Sequence, residues 1–144
     1  EGEHGHFHMF LPLEMFKGVN ALYEPPKKLP NGKATQGVVH FGALSFGLDG
    51  MPLSWFTTNY WVTYEYFMPA AAIASRLKNF SMNKAPGDPL VNDWLTAAVE
   101  VFHDPIIDML EQRDKLLAEK KAELGDAVFQ NKSVEIMSRM DFDL

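Results

Sequence analysis

The sequence predicts a mainly α-helical protein, and two observations support this fold class. A stretch of 42 residues, 34–75, contains only Asp49 and Glu65 as acids and no Lys or Arg. Two Asp-Pro pairs, at residues 88–89 and 104–105, each precede apolar residues at helical spacing. The 144-residue chain has no cysteine, so disulfides and thiolate metal sites are excluded. Its length is that of one ordinary domain.

The distribution of charge divides the chain into three segments. Residues 1–33 form a His-rich N-terminal segment, in which residues 12–22 have the spacing of a short amphipathic helix. Residues 34–75 are hydrophobic and nearly free of charge, whereas residues 76–144 carry nine basic and thirteen acidic residues. Such differences are typical of a chain whose parts meet different surroundings.

The charge-poor segment predicts association with a membrane. Residues 54–75 are long enough to cross a bilayer, because about 20 helical residues span its hydrocarbon core. Four glycines within residues 36–53 would weaken a helix in water but are tolerated in lipid. Basic residues flank the segment on both sides, which suits a helical hairpin, and a single span is the alternative topology. The other interpretation is a soluble protein whose middle segment forms its core.

The C-terminal region predicts two consecutive helices, at about residues 89–103 and 105–124. Asp88 and Asp104 are suited to N-caps, and the proline after each is favoured in the first turn. Five apolar residues predict a buried stripe that packs against a partner: Trp94, Leu95, Phe102, Ile106 and Leu110. A hydrophobic middle followed by a helical tail does not indicate an independent globular enzyme fold.

Three alternating histidines, His4, His6 and His8, are the most chemical feature of the sequence. On an extended backbone they share one face and could converge on zinc or copper. Glu1 or Glu3 could add a carboxylate. Because glycines at positions 2 and 5 argue against a rigid site, we treat the histidines as weak metal candidates and expect no bound metal.

Glu65 is the lone acid among the aromatic residues of the middle segment. A carboxylate inside a membrane is by default a functional candidate, with a role in proton or ion movement. The alternative is a carboxylate that is simply paired, and His40 on the preceding segment is a candidate partner.

Several functional classes are disfavoured. The net charge of −6 and the lack of an Arg-rich stripe argue against binding to nucleic acid. Glu100 and His103 have the Glu-x-x-His spacing of di-iron bundles, but the remaining ligands are missing. No phosphate loop, dinucleotide-binding fingerprint or nucleophile elbow occurs. We therefore expect no enzymatic activity, no cofactor and no small-molecule substrate.

In composition and predicted architecture, the chain is similar to small accessory subunits of organellar energy-converting membrane complexes. This resemblance implies a non-catalytic structural subunit of a mitochondrial respiratory or ATP synthase type complex. It implies other subunits and membrane lipid as partners. The chain begins with Glu1 rather than Met, so either a targeting segment has been removed or the numbering starts inside a longer product. The resemblance implies the inner mitochondrial membrane as the location, after removal of a targeting segment. The alternative is a small soluble helical protein with a metal-binding His-rich N-terminal segment.

Overall fold

The computed structural model of the chain describes residues 2–142 and contains one four-stranded antiparallel sheet with helices on one side. The strands are β1 (Glu3–Pro12), β2 (Val38–Gly47), β3 (Pro52–Thr58) and β4 (Ile136–Asp141). The α-helices are α1 (Tyr60–Thr63), α2 (Ala70–Ala74), α3 (Pro89–Val101) and α4 (His103–Leu124). Single 3₁₀ segments occupy Leu13–Phe16, Leu77–Asn79 and Gly125–Gln130. The strands lie in the order β1-β2-β3-β4, and the sheet takes strands from all three segments of the sequence.

The prediction of a mainly α-helical fold is wrong, because the protein is a mixed α/β structure. Residues expected to form membrane helices form β2, β3 and two short helices instead. The glycines of this segment serve the sheet. Gly50 has a φ of +77° in the turn between β2 and β3, and a Cβ atom at Gly42 would lie 3.3 Å from the Met109 side chain of α4.

The prediction of a helical membrane protein is also corrected by the lengths of the helices. Within the part of the chain that the structure describes, none of the helices is both long and apolar enough to cross a membrane. The amphipathic helix expected over residues 12–22 is absent as well. Strand β1 continues through Pro12, and only one 3₁₀ turn, Leu13–Phe16, follows it.

The C-terminal region contains the two helices α3 and α4. Asp88 caps α3, because its side chain accepts hydrogen bonds from the backbone N–H groups of Leu90 and Val91 at 2.8 and 3.2 Å. Asp104 has no such role, since α4 already begins at His103 and the chain bends at Phe102. Residues 129–140 contribute the last 3₁₀ residues and most of β4.

The main hydrophobic core lies between the sheet and helices α3 and α4. One face of the sheet contributes Met9, Leu11, Phe41, Leu44 and Trp55, and the helices contribute Leu95, Val99, Ile106, Met109 and Leu110. A polar contact fastens α4 to the sheet, because the Ser138 hydroxyl donates a hydrogen bond of 2.7 Å to the Met109 carbonyl. A second cluster around Tyr60, Phe67, Leu117 and Phe129 closes one end.

The opposite face of the sheet carries the side chains of His6 and His8 from β1. Cross-strand pairing places His8 beside Ala43, Ala43 beside Phe56, and Phe56 beside Arg139. Strands β1 and β4 are the two edges of the sheet, yet residues of both line a single cleft on this face. The cleft therefore extends across this face from one edge of the sheet to the other.

Candidate functional site

The cleft on this face of the sheet, opposite the main core, has a volume of about 190 Å³, and we call it the histidine cleft. It is lined by Glu3, His6, His8, Phe56, Thr58, Val62, Glu135, Ile136 and Arg139. The side chains on β1 project from a strand that is paired along its length with β2, which fixes the spacing between them. The cleft therefore gathers imidazole, carboxylate and guanidinium groups on rigid strands.

Both histidines of the cleft are held through their Nδ1 atoms. Nδ1 of His6 lies 2.6 Å from Oε1 of Glu3, and Nδ1 of His8 lies 3.0 Å from Nε2 of His40. The rings of His6 and His8 contact each other edge to face, with centroids 4.8 Å apart. Since one nitrogen of each ring is engaged, the Nε2 atoms are left for other partners.

Nδ1 of His8 and Nε2 of His40 share one hydrogen bond of 3.0 Å, and either nitrogen can be its donor, depending on the tautomers of the two rings. Burial, and next the neighbouring His6, lower the pKa of His8.

His4 does not join the other two histidines. The register of β1 against β2 shifts between Glu3 and Gly5, and this irregularity separates His4 from the alternation of His6 and His8. Its ring instead packs edge-on against Phe46, at a centroid distance of 5.9 Å. Among residues 2–142, no three His, Asp or Glu side chains form a group arranged to hold a metal ion. Glu1, the other carboxylate considered, lies outside the described residues.

Glu65 is fully buried behind this face of the sheet. Its Oε2 accepts a hydrogen bond from the backbone N–H of His40, while its Oε1 is buried without a hydrogen-bond partner. Burial raises the pKa of Glu65 to about 8, against the opposing effects of the Arg113 charge and the His40 N–H. The sequence-based pairing with His40 thus runs through the backbone of His40 rather than through its imidazole.

Arg113 is the buried cation nearest to this acid that the structure describes, and α4 carries it. Its Nε and Nη2 donate to Oδ1 of Asp114 at 2.9 and 2.7 Å, and Nη2 also donates to the Met68 carbonyl at 2.5 Å. The guanidinium lies 4.3 Å from the centre of the Phe67 ring. Burial, His8 and Arg113, in this order, hold the pKa of His40 well below its usual range. This keeps the imidazole neutral.

These groups extend from the surface to the core. Glu3 and His6 are exposed, His8 is half-buried, and His40 and Glu65 are buried. The side chains are hydrogen-bonded in two separate pairs, Glu3 with His6 and His8 with His40. The outer end of the group presents two imidazole rings to the cleft.

A second surface feature is an apolar patch formed by α3 and the neighbouring end of the sheet, which we call the α3 face. It comprises Phe7, Phe46, Leu90, Val91, Trp94 and Val101. Leu90 is 79% exposed, Val101 is 74% exposed and Trp94 is 42% exposed. On the adjoining β2–β3 turn, Leu48 is 84% exposed. Apolar side chains clustered in this way are uncommon on surfaces that bind nothing.

The segments that form the α3 face carry acids and no Lys or Arg. Asp93 and Glu100 are exposed on α3 beside its apolar residues, and Asp49 is exposed in the β2–β3 turn. Residues 34–75 and 85–112, which supply all of this face except Phe7, contain no Lys or Arg. The face is therefore apolar with a negatively charged margin.

The structure divides the predicted partner-packing stripe between core and surface. Leu95, Ile106 and Leu110 are buried in the chain's own core. Phe102 is half-buried, with its ring centre 4.8 Å from that of Phe142. Trp94 alone is exposed, on the α3 face.

Two features of the buried site were missed from the sequence. Arg113 lies within the apolar stripe of α4, seven residues after Ile106 and four before Leu117, and both of these neighbours are buried. A charged residue at that spacing is a signal of a buried ion pair. The contact between His8 and His40 had no such signal, because it depends on the register between β1 and β2.

Comparison with curated proteins and with solved structures finds no match. The family described as a domain of unknown function (DUF6969) matches residues 1–142. Because this match spans nearly the whole chain, the protein belongs to the DUF6969 family.

Proposed function

We propose that this protein is a non-catalytic subunit that binds another protein through the α3 face. The observation that carries this proposal is the exposure of Leu90, Trp94 and Val101 side by side on one helix. Burying a side chain of this kind contributes roughly 1.5–3 kcal/mol, so a partner surface that covers all three gains substantially. Tryptophan is also enriched among the residues that dominate binding energy at protein interfaces.

The acidic margin specifies the chemistry of the partner. A binding segment that complements this face has apolar side chains flanked by Lys or Arg, because like charges across an interface cost several kcal/mol. A second copy of the chain is a poor occupant, since pairing two α3 faces brings Asp93 and Glu100 of both copies to one interface. We therefore identify the occupant as a different protein with a basic, amphipathic segment.

The subunit role expected from the sequence is retained in this proposal. Trp94 links the sequence-based prediction to the proposed interface. It belongs to the predicted partner-packing stripe, and its side chain is exposed. The other members of that stripe have partners within the chain, so they do not contribute to the proposed interface.

The test is quantitative co-purification from the cells that naturally make the protein. We expect one partner with a basic, amphipathic segment to be retained by the wild type. Leu90→Glu and Trp94→Ala should each lose at least tenfold of it, because they add charge to the apolar surface or remove its largest side chain. Leu124→Glu is the matched control, since Leu124 is a 40% exposed apolar residue at the far end of α4.

A partner that is lost equally from Leu124→Glu would contradict the proposal, because the effect would not belong to the α3 face. A partner retained by both Leu90→Glu and Trp94→Ala would contradict it as well. Asp93→Lys separates charge from burial. It should weaken binding of a basic segment while leaving the apolar surface in place.

A further inference from the structure

We propose that the histidine cleft binds a divalent transition-metal ion through Nε2 of His6 and Nε2 of His8, with water or an external ligand completing the coordination. This site is separate from the α3 face and does not depend on the protein-binding role. It differs from a simple His-rich tail, because His4 takes no part in it and β1 is a paired strand rather than a flexible end.

The hydrogen bonds of the two rings leave the required lone pairs free. Nδ1 of His6 is bonded to the Glu3 carboxylate, and Nδ1 of His8 is bonded to Nε2 of His40. In the proposed site both histidine Nδ1 atoms carry the proton, so that Glu3 and Nε2 of His40 are the acceptors. With its proton at Nδ1, a neutral imidazole carries its lone pair at Nε2, which is the form that ligates metals. Metal-bound histidines commonly donate their other N–H to a carboxylate or another acceptor in this manner.

The spacing of the rings fits one shared ion. An imidazole that binds a metal through Nε2 does so at about 2.0–2.1 Å. When two imidazoles bind one ion, and the angle between their metal bonds lies between the square-planar and the tetrahedral value, their ring centres are roughly 4.5–5.2 Å apart. The observed separation of the His6 and His8 ring centres is 4.8 Å. His6 and His8 also line the same cleft of about 190 Å³, which has room for an ion and its water ligands.

The donor set indicates which ions the cleft favours. Imidazole nitrogen suits copper, zinc and nickel, whereas calcium and magnesium require oxygen ligands. Since no third His, Asp or Glu within residues 2–142 is arranged to complete the group, the protein supplies two ligands and the site stays open. An open site of this kind can accept a small anionic or nitrogen-containing ligand at the metal.

The experiment measures binding of Cu²⁺ and Zn²⁺ alone to the full chain by calorimetry, with electron paramagnetic resonance of the Cu²⁺ form. We expect one ion per chain and a Cu²⁺ spectrum with two imidazole nitrogens. His6→Gln should weaken binding at least tenfold, and Glu3→Gln should weaken it by about 10–100-fold because it releases the His6 ring. Both residues are exposed, so these variants are expected to fold.

His4→Gln is the matched control, since this histidine is on the same strand but packs on Phe46. It should bind either ion within twofold of the wild type. Equal loss of affinity in His4→Gln and His6→Gln would overturn the proposal, because it would indicate a flexible three-histidine tail. Unchanged affinity in both His6→Gln and His8→Gln, or no stoichiometric binding by the wild type, would overturn it too.

Discussion

At the scale of single residues, the distinctive feature of the structure is the buried acid Glu65 with its neighbours His40 and Arg113. Glu65 could be recognised from the sequence as a lone acid among aromatic residues, and His40 could be named as its partner. The type of contact could not be predicted, because a backbone N–H donor depends on how the chain after α1 passes β2. The role of Arg113 also depends on packing, since its partner Met68 lies 45 residues earlier in the chain, between α1 and α2.

Glu65 makes the stability of the folded protein depend on pH. Its carboxyl has an ordinary pKa of 4.5, as in an unfolded chain, and a pKa of about 8 in the folded protein. The folded state therefore binds more protons between these values, so stability is highest at the acidic end and falls as pH rises toward 8. Because a tenfold change in proton affinity corresponds to about 1.4 kcal/mol, the total effect on the free energy of unfolding is on the order of a few kcal/mol.

The Glu65→Gln variant tests this dependence, because an amide has nearly the same shape and does not ionise in this range. Urea unfolding at pH 5, 6, 7 and 8 should show a declining free energy of unfolding in the wild type and a flatter profile in the variant. Parallel profiles for the two proteins would show that Glu65 does not titrate between folded and unfolded states.

At the scale of elements, the β2–β3 hairpin shows why the middle segment was misread. Asp49-Gly50 lies between two runs rich in β-branched and aromatic residues, which is a recognised hairpin signal. The sequence nevertheless predicted membrane helices, because this segment has so few charges. Both faces of the two strands are largely buried, so their sequences lack the alternation of polar and apolar residues that would indicate a strand. The helices α3 and α4 were predicted well, since their apolar spacing is local.

The two Asp-Pro pairs give a matched test of helix capping. Asp88→Ala should lower the free energy of unfolding by about 1 kcal/mol, because it removes the side-chain acceptor for two backbone N–H groups at the start of α3. Asp104→Ala should cost about 0.5 kcal/mol or less, since Asp104 is exposed within the first turn of α4 and caps nothing. Thermal and urea unfolding of both variants measure the difference, and equal losses would contradict this assignment of the caps.

At the scale of the whole molecule, the charge-poor segment is covered by the charged C-terminal region of the same chain. Helices α3 and α4 place their apolar sides on the sheet and, apart from the buried Arg113, carry their acids and bases on their outer sides. This arrangement could not be predicted from composition. A segment with few charges has the same composition whether lipid, a partner protein or helices of its own chain cover it. Apolar side chains stay exposed on the α3 face, which we assign to a partner protein.

The most direct measurement of that assignment is photo-cross-linking in living cells from a photoreactive residue at position 90, with position 124 as the control site. We expect one prominent adduct from position 90 that is absent from position 124, and a cross-linked peptide with apolar residues flanked by Lys or Arg. Identical adducts from both positions, an adduct with a second copy of this chain, or no adduct from position 90 would contradict the claim that the α3 face docks a basic, amphipathic partner.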